Sequence, residues 1–155
     1  MRALWDGIRT GRLGRAMPAF FPEAAYAQLK AIGDPRADWS GRLVVEFAAD
    51  LSAAHALLGS GAAAAQLVDV VVPRAFAHVV PPGVCYNRLG YWETPNSRLV
   101  YREGGVVRSL AIASLISWRG DWFVVHLGAF LRSGAGGEVD EPSNGPGVAS
   151  PSRTC

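Results

Sequence analysis

The amino-acid sequence predicts an α+β domain in which N-terminal helices pack on a curved antiparallel sheet. Three observations lead to this expectation. Residues 97–131 contain three runs rich in β-branched and aromatic residues, separated by the dipeptides Gly104-Gly105 and Gly120-Asp121, and two-residue turns of this kind join antiparallel strands. The chain ahead of this region repeats apolar residues at helical spacing. Half of the 155 residues are hydrophobic and 18% are charged, which allows a sizeable buried core.

Composition divides the chain into three parts. Residues 1–17 combine arginines with glycines, and we interpret them as a flexible lead-in. Residues 18–132 hold the predicted domain. Residues 133–155 are rich in Gly, Pro and Ser and lack aromatic side chains, so we expect them to be disordered because they have little to bury.

Two helices are expected ahead of the sheet. The first begins near Pro22, which suits a first helical turn, and ends at Gly33 and Pro35. The second ends at Gly59 and carries an apolar stripe at helical spacing. That stripe consists of Leu43, Phe47, Leu51, Ala54 and Leu58.

Three weaker strand signals follow the helices. LVDVVV (67–72) is a predicted strand that ends at Pro73, and FAHVV (76–80) is a short edge segment before two prolines. A further strand is expected over 86–93, followed by a turn at 94–97.

The main sheet comprises predicted strands near 98–103, 106–118 and 122–130. A two-residue turn fixes the register, so Trp118 is expected opposite Phe123 and Ser114 opposite Leu127. Alternation then gives one bulky apolar face that helices should cover, and it puts His126 on the opposite, outer face. The middle strand is long enough that we expect it to bend or to carry a bulge.

The bulky face is a candidate ligand pocket. Its aromatic side chains would suit a planar hydrophobic ligand, with polar groups from Tyr101, Arg108 and Glu93. The alternative for the same residues is a fully packed core. The predicted pocket residues are Trp92, Tyr101, Arg108, Trp118 and Phe123.

Asp69 is the weak candidate for a catalytic group. A carboxylate among valines would be partly desolvated, which suits a general base, and Tyr86 or Tyr101 would assist it. The alternative is that Asp69 lies on the solvated face of an edge strand. The histidines have no metal-ligand spacing and no nucleotide-binding fingerprint is present, so we expect neither a metal nor a cofactor.

The two cysteines, Cys85 and Cys155, also lack metal-ligand spacing. We expect two reduced thiols in a cytoplasmic protein. The alternative is one disulfide between them in a secreted or envelope-associated protein. No signal peptide and no apolar run of membrane-spanning length is visible, and a net charge of +2 does not indicate nucleic-acid binding.

The outer sheet face carries small residues that would allow a second sheet to approach closely. Ala111, Ala113 and Ser117 form this group. We therefore predict a homodimer through the outer face.

The segment SLISWRGDWFVVHLGAF resembles the last hairpin of nuclear-transport-factor-2-like domains. Their last strands often read as a Trp-containing strand, a glycine turn and then W-x-V-x-H, which correspond here to Trp118, Gly120, Trp122, Val124 and His126. The resemblance implies a cone-like, cystatin-like roll. That superfamily includes ketosteroid isomerases, polyketide cyclases and non-enzymatic binding modules. The acidic base and tyrosine of the isomerases have no matching positions here, so no catalytic role is transferred.

A second resemblance covers most of the chain. The blocks PPGVCYN, GYW, VYREGG, ASLISWRG and VVHLG are similar to small uncharacterised proteins of actinobacteria, a resemblance that implies no activity.

Three functional hypotheses result. The first is a non-catalytic module that binds a small hydrophobic ligand or a partner protein, favoured because no catalytic constellation is visible. The second is an isomerase or cyclase of polycyclic or polyketide-like substrates with Asp69 as base. The third is an exported structural protein held by the Cys85–Cys155 disulfide.

Overall fold

A computed structural model describes residues 1–128 and 136–148. Within these ranges, helices come first and a six-stranded antiparallel sheet follows, which confirms the predicted α+β class. The helices are α1 (Arg2–Thr10), α2 (Leu13–Ala16), α3 (Glu23–Leu29), α4 (Pro35–Asp38) and α5 (Val44–Leu58). The strands are β1 (Gln66–Val71), β2 (His78–Val80), β3 (Tyr91–Glu103), β4 (Val106–Trp118), β5 (Asp121–Leu127) and β6 (Ser143–Asn144).

The sheet is built around β3 and β4. Its strand order is β1-β3-β4-β5, while β2 pairs with the first part of β3 and β6 pairs with β4. The helices cover the face that carries Leu99, Tyr101, Leu110 and Ile112, all of which are buried in the core.

Helix α1 belongs to the core, and the interpretation of residues 1–17 as a flexible lead-in is wrong. Leu4, Trp5 and Ile8 are buried because their spacing puts them on one face of the helix. Gly7 is required by packing, since a Cβ at this position would lie 2.5 Å from the Cβ of Ala16.

Four of the five residues of the predicted apolar stripe lie on helix α5, Leu43 directly precedes it, and all five are buried. A π-helical segment, Trp39–Leu43, joins it to α4. By length and composition alone, the helical stretch Pro35–Gly61 is apolar enough to cross a membrane. A third of its apolar window is buried in the structure, and Phe47 stacks there on Phe20 at 4.3 Å.

The β3–β4 hairpin agrees with the sequence prediction. Gly104 and Gly105 have φ angles of 55° and 83°, as their two-residue turn requires. The register is also the predicted one, with Leu99 opposite Leu110.

The β4–β5 hairpin differs from the prediction in two ways. Its loop is Arg119-Gly120, so Trp118 pairs with Asp121. This two-residue shift leaves the faces unchanged. Register irregularities near Ser114 then pair that serine with His126, and an extra residue in a strand exchanges its faces. His126 therefore lies on the helix-covered side, which corrects its predicted place on the outer face.

Strand β3 runs through the predicted turn at 94–97. Pro95 pairs with Ser114, and Asn96 keeps its place in the strand at a φ of 45°. The ladder between β3 and β4 continues on both sides of this point, from Glu93 opposite Ile116 to Glu103 opposite Val106. The strand expected over 86–93 begins only at Tyr91.

The described part of the predicted tail, residues 136–148, packs on the domain. Strand β6 pairs with Arg108 and Ser109, and Asn96 donates a side-chain hydrogen bond to the Val148 carbonyl. Backbone pairing thus supplies contacts that the composition of this segment does not indicate. Residues 133–135 and 149–155 of the predicted tail lie outside the described residues.

Candidate functional site

A cavity of about 270 Å³ lies between α3, the π-helical segment and strands β3 to β5. Its apolar lining consists of Phe21, Leu29, Leu43, Ile116 and Val125. Its polar lining consists of Tyr26, Lys30, Arg42, Tyr91, Glu93, Ser114 and His126. We call this cavity the inner chamber.

A second cavity of about 340 Å³ shares Tyr26, Lys30 and Arg42 with the inner chamber. We call it the outer chamber, and it also contacts Cys85 and Tyr86. The three shared side chains form the junction of a two-chamber cleft. A ligand in either chamber would therefore meet the same phenol, ammonium and guanidinium groups.

The π-helical segment positions one side of this junction. The Tyr26 hydroxyl donates to Asp38, and Arg42 donates to the Tyr26 oxygen at 2.9 Å, to Asp38 Oδ1 at 2.8 Å and to Glu46 Oε2 at 3.1 Å. Burial and the hydrogen bond to Asp38 raise the pKa of Tyr26, so the phenol keeps its proton. Hydrogen bonding from Arg42 lowers the pKa of Asp38.

Lys30 follows directly after α3 and forms the other side of the junction. Its Nζ donates to the Cys85 carbonyl at 2.9 Å and lies 5.8 Å from the centre of the Tyr26 ring. Its backbone carbonyl accepts from the Arg88 side chain, which fixes this turn against residues 85–88. Burial, assisted by the charge of Arg42, lowers the pKa of Lys30 because desolvation disfavours the ammonium form.

Glu93 projects from β3 into the inner chamber, and its side chain is largely buried. Ser114 hydrogen-bonds to it, and His78 Nε2 lies 3.6 Å from Oε2. Burial nevertheless raises the pKa of Glu93. Burial and the nearby Glu93 charge raise the pKa of Tyr91 to about 12. Glu93 and Tyr91 therefore retain their protons more readily than they do in water, whereas Lys30 in the same chamber releases its proton more readily.

Replacing Glu93 with Gln is expected to stabilise the protein increasingly as the pH rises. Because the pKa of Glu93 is higher in the folded chain than the ordinary value of 4.5, the folded state binds more protons above that pH. Its stability is then lost as the pH rises towards the folded pKa, and glutamine removes this loss. The melting temperatures of both proteins, measured from about pH 4 to about pH 8, check this. Glu141→Gln, at an exposed position, is the control. A difference in melting temperature between Glu93→Gln and the parent protein that stays constant with pH contradicts the prediction.

A buried carboxylate anchors the far end of the cleft. Asp50 is fully buried and accepts hydrogen bonds from the backbone N–H groups of Leu127 at 3.1 Å and Gly137 at 2.7 Å. Its Oδ2 lies 3.4 Å from His126 Nδ1. Asp50 thereby fixes the end of β5 and positions His126 at the cavity wall.

The five predicted pocket residues line neither chamber. Trp92 is 52% exposed on the outer face, whereas Tyr101 is fully buried beside Trp5 at a ring distance of 5.0 Å. Trp118 and Phe123 pack edge-on against Phe21. Arg108 lies at the β4–β6 pair. The helices fill the middle of the sheet face, so the cleft opens further along β3, at Glu93.

The predicted catalytic group is not assembled. Asp69 is exposed on β1 and accepts a hydrogen bond from the adjacent Val70 N–H, which agrees with the alternative of a solvated edge strand. Tyr86 borders the outer chamber but is highly exposed, and Tyr101 is in the core. These three side chains therefore do not form one site.

Sequence reasoning named Glu93 as a polar group of the pocket but missed Lys30, Tyr26 and Arg42. A signal for Lys30 was present, since it is the single lysine among 15 basic residues. Tyr26 and Arg42 meet through tertiary contacts that periodicity does not indicate.

Comparison with protein-family models, with curated proteins and with solved structures gave no match. The fold and the cleft thus define the chain as an α+β protein with a polar and apolar cleft between its helices and its sheet. Its resemblance to nuclear-transport-factor-2-like domains and to actinobacterial proteins stays a prediction.

Proposed function

We propose that this protein is a small-molecule-binding domain and that the two-chamber cleft is its binding site. The observation that carries the proposal is the combination, in one cavity, of an apolar wall with convergent polar side chains. Ligand sites in proteins have this composition, and they begin at volumes of about 300 Å³. The inner chamber is close to that lower limit, which suits a compact ligand.

The arrangement of the lining favours a ligand with an apolar body and a polar end. Phe21, Leu43 and Ile116 offer the body apolar contacts in the inner chamber, where burial is favourable. Lys30 and Arg42 lie at the junction, where they would meet the polar end. The proposed ligand is thus still small and partly hydrophobic, as predicted from the sequence, but it also has a polar end. Its proposed site is the cleft and not the aromatic residues of the sheet.

Val125→Phe is expected to weaken ligand binding at least about tenfold, because its larger ring would occupy the inner chamber. Anilinonaphthalene sulfonate is a suitable fluorescent probe, since it combines fused apolar rings with an anion. The matched control is Val106→Phe, at an exposed position in the β3–β4 hairpin. Equal probe affinities for the two variants would contradict the proposal.

A catalytic role is the second candidate, and the environment of Glu93 favours it. A buried carboxyl with a raised pKa inside a cavity has the property required of a general base or acid. Glu93 would then replace Asp69 as the base of an isomerase or cyclase. Loss of turnover in Glu93→Gln, with probe binding retained, would distinguish this role from binding alone.

Homodimer formation also remains a proposal, restricted to part of the outer face. Val79, Trp92 and Trp122 are exposed there, and they follow one row across the sheet with Ser117. Ala111 and Ala113 are already buried within the chain, so they would not meet a second copy. Native mass spectrometry of gently purified protein would report both the number of chains and any retained ligand.

Location in the cell stays a proposal as well, and its two alternatives are the cytoplasm and export. The alternative exported protein depends on the disulfide between Cys85 and Cys155. Cys85 is disulfide-bonded in the structure, which contradicts the expected reduced thiol at this position. Cys155 lies outside the described residues, so its part in the bond stays a prediction, and thiol titration of the denatured, unreduced chain would test it.

A further inference from the structure

We propose that Lys30 is a nucleophilic amine and that it forms an imine with an aldehyde or ketone ligand bound in the two-chamber cleft. The inference rests on the proposed small-molecule site and adds the chemical class of its ligand.

The position of Lys30 is the first argument. It is the only lysine in the sequence, and the other 14 basic residues are arginines, whose guanidinium group stays protonated. That single side-chain amine lines both chambers. A carbonyl ligand in either chamber would therefore meet it.

The contacts of Lys30 are the second argument. Its Nζ is held by the Cys85 carbonyl at 2.9 Å and by the face of Tyr26. Among residues 1–128 and 136–148, no carboxylate forms an ion pair with it. The amine is thus fixed in place without a carboxylate paired directly to it.

The net effect of the surroundings of Lys30 also favours its neutral amine form. Burial and the Arg42 guanidinium lower its pKa, whereas Asp38 and Glu93 oppose this effect more weakly. Burial beside a second cation is a recognised way to increase the neutral, nucleophilic fraction of a lysine. Arg42 is itself held by Asp38 and Glu46, so it stays at the junction.

The proposed reaction is a condensation without oxidation or reduction. The neutral Nζ attacks the carbonyl carbon, and the C=O electron pair becomes a hydroxyl after a proton moves from nitrogen to oxygen. The hydroxyl then leaves as water with one further proton, while the nitrogen lone pair forms the C=N bond. Glu93 lines the same inner chamber with a raised pKa and is placed to supply that proton. The products at this point are one protonated imine and one water, and return of the imine N–H proton to the Glu93 carboxylate gives the neutral imine and restores the acid.

Reductive trapping tests the inference. The full chain is incubated near pH 7 with benzaldehyde and sodium cyanoborohydride, and the benzyl adducts are located by peptide mass spectrometry. We expect Lys30 to be labelled at least about tenfold faster than Nα-acetyl-lysine amide, because a larger fraction of its amine is neutral. Labelling no faster than that model amine would overturn the inference.

Two variants and an internal reference make the result specific. Lys30→Arg keeps the positive charge and a donor for the Cys85 carbonyl, and it should lose the adduct at this position. Val125→Phe fills the inner chamber and should slow labelling of Lys30, while the α-amino group of Met1 is labelled as before. Rapid adduct formation that persists in Lys30→Arg would overturn the inference, because the reactive amine would then lie elsewhere in the chain.

Competition separates this inference from the proposed function. Benzyl alcohol has the same ring but no carbonyl group, and it should displace anilinonaphthalene sulfonate from the cleft without forming an adduct. If both compounds displace the sulfonate but benzaldehyde does not label Lys30 rapidly, the imine inference is overturned while the proposed binding site is retained. Failure of the sulfonate to bind at all would remove the proposed function as well.

Discussion

Asp50→Ala is expected to destabilise the protein by about 3 kcal/mol or more. The substitution leaves the N–H groups of Leu127 and Gly137 without the carboxylate that now accepts from both. A buried donor without a partner costs about 1–3 kcal/mol, and two such donors are affected. Urea denaturation would measure the loss as a lower midpoint with a similar slope.

Matched variants make this expectation specific to the buried carboxylate. Asp69→Ala removes an exposed carboxylate that bonds to its neighbouring Val70 N–H, and it should change stability by no more than about 0.5 kcal/mol. Asp50→Asn keeps one acceptor oxygen, so an intermediate loss is expected. Equal stability of Asp50→Ala and Asp69→Ala would contradict the anchoring role.

The anchor also shows how the site depends on contacts between distant parts of the chain. Asp50 on α5 bonds to the end of β5 and to the segment that returns at Gly137. His126 comes to the cavity wall through these contacts and through the irregular pairing of Ser114. Local periodicity in the sequence predicts neither of these features. An extra residue in a strand moves the side chains that follow it to the other face of the sheet without changing the composition.

Local structure could be predicted from the sequence where it is determined by residues that are adjacent in the chain. Gly104-Gly105 specified the turn and register of the β3–β4 hairpin, since those positions need positive φ angles. The second turn was misplaced by one residue because Arg119, with a side chain, takes a positive φ of 53°. Such a conformation is uncommon outside glycine, so the Gly120-Asp121 pair was the more natural choice.

The candidate site could be predicted only in part. Glu93 was identified as a polar group of the pocket, but Lys30 lies at the end of a helix 63 residues away in sequence. Both side chains line the inner chamber, and nothing in their local sequence indicates that they meet there. The aromatic residues that suggested a pocket instead fill the core or lie exposed, because apolar patterning indicates burial and not whether a space remains.

Trp5→Ala is expected to cost about 3–5 kcal/mol, the range for truncating a large aromatic side chain in a core. Trp5 is 6% exposed, and its ring lies 5.0 Å from that of Tyr101. The substitution would open a cavity against the middle of β3. Chemical denaturation monitored by far-ultraviolet circular dichroism would measure the loss without depending on tryptophan fluorescence.

The control for this prediction is Trp122→Ala, at a position 42% exposed on the outer face, which should cost less than about 1 kcal/mol. Equal losses of stability in the two variants would contradict the core role of α1 and would support the interpretation of residues 1–17 as a flexible lead-in. Helix α1 contributes no residue to either chamber. The fraction of Trp5→Ala that remains folded should therefore still bind anilinonaphthalene sulfonate with unchanged affinity, which separates the stability of the fold from the function of the cleft.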